Sequence, residues 1–175
     1  ARLASRSMSD ASDRTTTDPS AGTWGLDLDG VIWSGTDPIE GSAQAVAALR
    51  AAGRSVVFVT NNSFATIAQQ EAKLASFGID ATDAVITSAQ AAASLVDPDE
   101  RALVLGGPGV LEALASRGVE CVDPDSLASG STAVAAAGID VVVAGLDWDL
   151  SYHRLAAAVQ SVTCTSCTSI TTLAL

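Results

Sequence analysis

The chain has 175 residues, 48% of them hydrophobic but only 4% aromatic, and carries 20 acidic against 9 basic side chains for a formal net charge of −11. That length and apolar content support one substantial core or two small ones. The acidic balance argues against nucleic acid or an anionic membrane as a partner, because both need a positive footprint, and no apolar run approaches the roughly 18 residues of a membrane span.

Residues 1–22 are rich in Ser, Thr, Asp and Arg, show no hydrophobic period and lack the apolar centre of a signal peptide. They are expected to be a disordered leader. Residues 24–28 form a short apolar run, predicted as a strand, and the loop to Gly41 holds Pro38 and further glycines. Ser42 is placed to cap a helix to Ala52, with Ala45, Val46, Leu49 and Ala52 on one face and Gly53 as its stop. Four consecutive apolar residues, 56–59, predict a strand covered on both faces. A second helix is expected from Phe64 or Thr66 to Phe77, turning Ile67, Leu74 and Phe77 inward and stopping at Gly78. Residues 84–87 read as a third strand, and Ser88 as the cap of a helix through Leu95. Strand, helix, strand, helix, strand predicts a right-handed parallel α/β unit.

Pro98 marks a break, after which the pattern restarts. Residues 102–105 read as a strand, 110–117 as a helix stopped by Gly118, and 119–122 as a short strand. Residues 123–139 carry little pattern. Residues 141–144 are again strand-like, and Ser151 caps a helix bearing Tyr152, Leu155, Val159 and Val162 on one stripe. A second α/β module is therefore expected from about Ser88. Residues 161–175, a Thr/Ser/Cys run without glycine or charge, are expected to be an atypical low-complexity tail.

The chemistry gathers at two strand ends. Asp27 and Asp29 follow the first apolar run, with Gly30 permitting a sharp exit. Two carboxylates there can ligate a hard cation such as Mg²⁺, and one can attack phosphorus while the other shuttles a proton. An ordinary Asp-Gly turn is the plain alternative. Thr60-Asn61-Asn62-Ser63 ends the second apolar run with hydroxyls and amides that can hold phosphate oxygens without adding charge; a helix cap by Asn62 or Ser63 is the plain alternative there. Gly106-Gly107-Pro108-Gly109 lacks the Lys-Ser/Thr of a phosphate loop and reads as a turn into a helix. Cys164, Cys167, Cys121 and His153 have irregular spacing for zinc. Trp24 and Trp33 flank the first loop and are expected in the core. Three cysteines make no disulfide framework, and a cytoplasmic location is the expectation.

Asp27-Leu28-Asp29-Gly30-Val31, then Gly41 opening a helix, then Phe58-Val59-Thr60-Asn61-Asn62-Ser63, together resemble the haloacid dehalogenase superfamily. Leu74-Ala75-Ser76-Phe77-Gly78-Ile79 and Ile86-Thr87-Ser88-Ala89 are similar to its nitrophenyl-phosphatase-like and nucleotide-monophosphatase-like subfamily. Val141-Val142-Val143-Ala144-Gly145-Leu146-Asp147 and Ser151-Tyr152 resemble the α/β cap those enzymes insert after the third strand. The resemblance implies a Rossmann-like parallel sheet, an incomplete core over residues 23–87, with an α/β cap over 88–160. It implies Mg²⁺-dependent hydrolysis of a small phosphorylated metabolite through a phospho-aspartate. Asp27 would be the nucleophile and a Mg²⁺ ligand, and Asp29 the general acid/base with its backbone carbonyl on the metal. Thr60 would bind the phosphoryl group and Asn61 would line the site. A homodimer through the cap would be compatible with this.

The family pattern also implies a lysine and distal acidic ligands after the cap. Lys73, the only lysine, falls on the polar side of the second helix, and Asp147 and Asp149 fall in the cap. The expectation is a family member interrupted within its cap, near Gln160, and inactive or weak by itself. The alternatives are a non-catalytic dimerisation or ligand-binding module, and a chain that folds poorly.

Overall fold

The computed structural model describes residues 22–127, 137–164 and 168–171; all but Gly22 of the expected leader, and Cys167, lie outside the described residues. In chain order the elements are β1 (Thr23–Asp27), β2 (Trp33–Ser34), β3 (Asp37–Pro38), α1 (Ser42–Ala51), β4 (Ser55–Thr60), α2 (Ile67–Ser76), β5 (Val85–Thr87) and α3 (Ser88–Ala93). They continue as β6 (Arg101–Leu105), α4 (Pro108–Ala115), β7 (Glu120–Val122), a 3₁₀ turn (Pro124–Ser126), β8 (Val141–Ala144), α5 (Tyr152–Cys164) and β9 (Thr168–Thr171). A parallel sheet runs β1-β4-β5 and a second parallel sheet runs β7-β6-β8-β9, while β2 and β3 form a small antiparallel hairpin. The α/β class and the parallel pairing are as the sequence predicts. Among the described residues no helix is long and apolar enough to cross a membrane.

Two of the helices, α2 and α3, start where side chains satisfy their first N–H groups. Thr66 and Thr87 each accept from the backbone three residues on, and Gln69 and Gln90 bond back to the cap residue, completing two capping boxes. These, not Asn62, Ser63 or Ser88, are the caps of α2 and α3. Ser42 is likewise the first residue of α1 rather than its cap. That position is Gly41, in the left-handed region at φ 85° with no side-chain cap bond, while the Ser42 hydroxyl donates to the Ile32 carbonyl. Ser151 does cap α5, accepting from the Arg154 N–H.

Among the described residues the first sheet is covered on one face only. Val46 from α1 and Leu74 from α2 pack on Val56, Phe58 and Val85, with Ile67 and Phe77 against the same core, as expected. Val59 and Ile86, pointing the other way, are 43% and 46% exposed. The unbroken apolar run 56–59 is therefore not covered on both faces, because both helices lie on one side. Ala45 of α1 and Ala52, its C-cap, line an open apolar groove of about 650 Å³ with Trp24 and Leu26. Trp24 is thus largely exposed, against expectation, while Trp33 is buried.

The second sheet is sandwiched. Ala89, Ala92 and Val96 pack with Val110 and Leu114 of α4 against Val104 and Val143. On the other face Ala157 and Ala158 of α5 meet Leu103, Leu105 and Val142. The stripe Tyr152, Leu155, Val159 and Val162 points outward, because small alanines and the buried Ser161 are what fit against this sheet. Residues 168–171, in the stretch with no predicted element, pair in parallel with β8.

The two sheets meet through the segments leaving β4, β6 and β8. The Gly109 N–H donates to the Phe64 carbonyl at 2.8 Å, and the Leu146 N–H donates to Oγ of the fully buried Ser63 at 3.0 Å. Trp148 meets Phe64 edge-on. The approach is close: a Cβ on Gly109 would fall 2.7 Å from the Ser63 carbonyl oxygen and nearer still to that of Ala65. Gly109→Ala is expected to destabilise the chain by about 2 kcal/mol, since backbone cannot step aside; a urea unfolding midpoint compared with the parent chain checks this.

Candidate active site

Parallel pairing places the C-terminal ends of β1, β4 and β5 along one edge. Asp27 stands opposite Val59, and Thr60 opposite Thr87. Such an edge, outside the carboxyl ends of parallel strands, is where α/β sheets bind ligands.

Beyond Asp27 the chain turns at once. The N–H groups of Ile32 and Trp33 return to the Leu28 carbonyl at 2.9 and 3.2 Å, and Gly30 donates to the Trp33 carbonyl at 2.7 Å. Gly30 sits at φ 81°, a conformation that strains any residue with a Cβ. Leu28 is fully buried and anchors the turn, so Asp27 and Asp29 on either side of it are both exposed. Oδ1 of Asp27 accepts from the Leu28 N–H at 2.8 Å. Oδ1 of Asp29 accepts from the indole N–H of Trp33 at 2.7 Å.

At the next strand end the Thr60 hydroxyl is buried and accepts the Asn62 N–H at 3.1 Å. Oδ1 of Asn62 in turn accepts from Phe64 and Ala65 at 3.0 and 3.2 Å, which sets the turn into α2. Asn61 is half-buried, and its carbonyl is held by the Ser88 hydroxyl at 2.9 Å. Asp27, Thr60 and Asn61 thus share the edge, with Asp29 two residues beyond Asp27.

The other candidates fall elsewhere. Lys73 donates to the Gly35 carbonyl at 3.0 Å and stands over the Trp33 ring, 3.9 Å from its centroid. Gly107 is the N-cap of α4 with Pro108 in its first turn, so the glycine-rich stretch is a helix entry. His153 is half-buried. Ser63, expected among the phosphate-holding hydroxyls, is instead fully buried and accepts from the Leu146 N–H, while Trp33, expected only in the core, reaches the site through Asp29, and Thr87 and Ser88 stand beside Thr60 and Asn61; the spacing of these residues gives no signal of those partners.

At the C-terminal edge of the second sheet, Arg154 bonds Asp123, Asp125 and Asp147 beside a cavity of about 190 Å³ lined also by Val104, Gly106, Leu111 and Cys121. Burial works against the guanidinium charge, but hydrogen bonding and attraction to Asp125 and Asp147 outweigh it and hold the group protonated beyond its ordinary range. Burial pushes the Cys121 thiol up, which makes it a poor nucleophile. Asp147 is committed to Arg154, and no group of three or more His, Cys, Asp or Glu among the described residues could hold a metal ion. Two exposed carboxylates two residues apart are a donor set that suits Mg²⁺, which is commonly held by one or two carboxylates, water and substrate phosphate, without a closed protein cage.

The chain matches the family model described as haloacid dehalogenase-like hydrolase over residues 24–120. Phosphoglycolate phosphatase 2 of Arabidopsis thaliana is 35% identical over 150 residues, covering 78% of this chain and 50% of the relative. The glycerol phosphate phosphatase of Mycobacterium tuberculosis in complex with calcium superposes with a TM-score of 0.72 at 26% identity, over 86% of this chain and 42% of that one. The same enzyme has been solved in complex with magnesium. A double mutant of the thermostable NPPase of Geobacillus stearothermophilus superposes with a TM-score of 0.72 at 29% identity, over 86% and 56% of the two chains. The chain spans about half the length of the curated relatives it matches.

The Arg154–Asp147 pair carries most of the electrostatic risk at the second edge, because the two side chains are 12% and 7% exposed. Asp123 and Asp125 are more than half exposed and contribute little. Arg154→Met is expected to cost about 3 kcal/mol by leaving Asp147 buried without its partner, and Arg154→Met with Asp147→Asn to recover part of that loss; denaturant titrations of the two variants read both numbers.

Proposed function

Since this chain belongs to the haloacid dehalogenase-like hydrolases, we propose that it hydrolyses phosphate monoesters of small metabolites through a phospho-aspartate on Asp27. What supports this reading is the shared strand edge, along which lie the exposed carboxylate of Asp27, then Thr60 and Asn61, with Asp29 in the turn just beyond. The first sheet, residues 23–87, acts as the catalytic part and the second, from Ser88 onward, as the cap that selects substrate.

In the first step a carboxylate oxygen of Asp27 attacks phosphorus in line, the phosphorus–oxygen ester bond breaks, and Asp29 gives its proton to the leaving oxygen. In the second, Asp29 takes a proton from water as that water attacks phosphorus, releasing inorganic phosphate and regenerating Asp27. Thr60 already accepts from the Asn62 N–H, which leaves its own hydrogen as a donor to a phosphoryl oxygen. Asn61, half-buried, follows Thr60 at the same edge, and its amide would line the site in this proposal. A divalent cation, Mg²⁺ in this proposal, would be held by the Asp27 carboxylate and the Asp29 backbone carbonyl; when bound it offsets the negative charge that an acidic chain and an anionic ester bring together. Two relationships favour a divalent ion: the calcium and magnesium complexes of the glycerol phosphate phosphatase, and the hard-oxygen donor pair itself.

Lys73 is anchored on the Gly35 carbonyl over the Trp33 ring, and no third acidic ligand gathers among the described residues. Turnover is therefore expected to be slow, well below the median of about 10 s⁻¹ for enzymes. Steady-state hydrolysis of p-nitrophenyl phosphate should appear on adding Mg²⁺ and vanish with chelator. Asp27→Asn should abolish it, and Thr60→Val should reduce it by roughly tenfold or more, in line with loss of one hydrogen bond to a charged group. Full activity in Asp27→Asn would refute the nucleophile.

A further inference from the structure

Trp33 is 1% exposed, yet its one polar atom is not turned into the core. The indole N–H donates to Oδ1 of the exposed Asp29 at 2.7 Å, the short range of a bond to a charged acceptor. The backbone of the same turn repeats the link: Asp29 and Trp33 form an isolated bridge, and the Trp33 carbonyl accepts from Gly30 at 2.7 Å. The ring is held on its other sides. Phe77 lies tilted against it with centroids 6.0 Å apart, and Lys73 stands over its face at 3.9 Å while anchored on the Gly35 carbonyl. A cation over the π face draws electron density from the indole and strengthens its N–H as a donor.

We propose that Trp33 is the positioning residue of Asp29, fixing which carboxyl oxygen exchanges the proton. An indole N–H can only donate, so Oδ1 must accept, and Oδ2 is the oxygen that gives a proton to the ester oxygen and later takes one from water. The chain's only lysine serves this arrangement through the ring and not by touching phosphate. The inference rests on the reading of Asp29 as the proton carrier.

Two esters separate the positioning role from damage to the fold. An aryl phosphate leaves as a phenolate that needs no proton, whereas an alkyl phosphate leaves as an alkoxide that does. Comparing kcat/KM, which reports transfer to Asp27, Trp33→Phe is expected to lose about tenfold with an alkyl phosphate and less than about twofold with p-nitrophenyl phosphate. Asp29→Asn should show the same contrast at about a hundredfold, and Lys73→Met a smaller one. If Asp29→Asn shows no contrast, or the parent chain turns over neither ester, the proton-carrier reading fails and takes this inference with it. If Asp29→Asn shows it and Trp33→Phe lowers both esters equally, only the positioning role of Trp33 is lost.

A second readout needs neither turnover nor a Trp33 variant. In the ¹⁵N-labelled chain the indole N–H resonance of Trp33, assigned against Trp24→Phe and Trp148→Phe, should lie downfield and exchange slowly. Asp29→Ala should move it upfield and speed its exchange. An indole resonance indifferent to Asp29→Ala would overturn the proposal.

Discussion

The parallel pairing of β1 with β4 is the constraint on which the site depends. In that arrangement both strands end at the same edge, so Asp27 and Thr60, 33 residues apart in sequence, arrive within one strand spacing of the same point. An antiparallel pairing would carry Thr60 to the opposite end of the strand, about 16 Å away for five residues. The helix between them is what allows the parallel return, and its packing through Val46 on Val56 and Phe58 holds the register.

A second edge is brought to the first by very small residues. Gly109 meets the carbonyls of Ser63 and Ala65, and a Cβ on Gly107 would enter the ring of Phe64. Ser63 then accepts from Leu146, so one loop, residues 61–65, both carries the amide of Asn61 and receives the segments leaving β6 and β8. The C-terminal edges of the two sheets are physically adjacent for that reason. The sheet order also shows where further burial is possible: Val59 and Ile86 remain exposed on one face, and the groove beside β1 is almost wholly apolar.

What could be read in the sequence was chiefly what short-range chemistry determines. Asp27-Leu28-Asp29-Gly30 announces a strand that stops and turns, and Gly53, Gly78 and Gly118 announce helix ends, each found at positive φ. The motif pair Asp27/Asp29 and Thr60/Asn61 was placed at one edge by the predicted strand–helix–strand order, and in the structure Asp27, Thr60 and Asn61 lie along that edge with Asp29 in the turn beyond it. What could not be read depends on packing partners. The run 56–59 looked doubly covered because four apolar residues in a row carry no record of which faces have neighbours. The stripe on α5 looked like a packing face, but Ala157, Ala158 and Ser161 fit the sheet more closely than Leu155 or Val159. Threonine caps displaced the expected serine and asparagine caps because only Thr66 and Thr87 have a glutamine three residues on. The bond from Trp33 to Asp29 has no sequence signature.

The central claim is that phosphorus is carried on Asp27. The measurement that tests it most directly is to quench the chain in acid during turnover of an aryl phosphate with Mg²⁺ present, reduce the acyl phosphate with borohydride, and locate the modified residue by peptide mass spectrometry. The account predicts a homoserine at position 27 and an unchanged residue 29. Turnover that leaves Asp27 unmodified, or a phosphoryl group found on Thr60, Ser63 or His153, would contradict it.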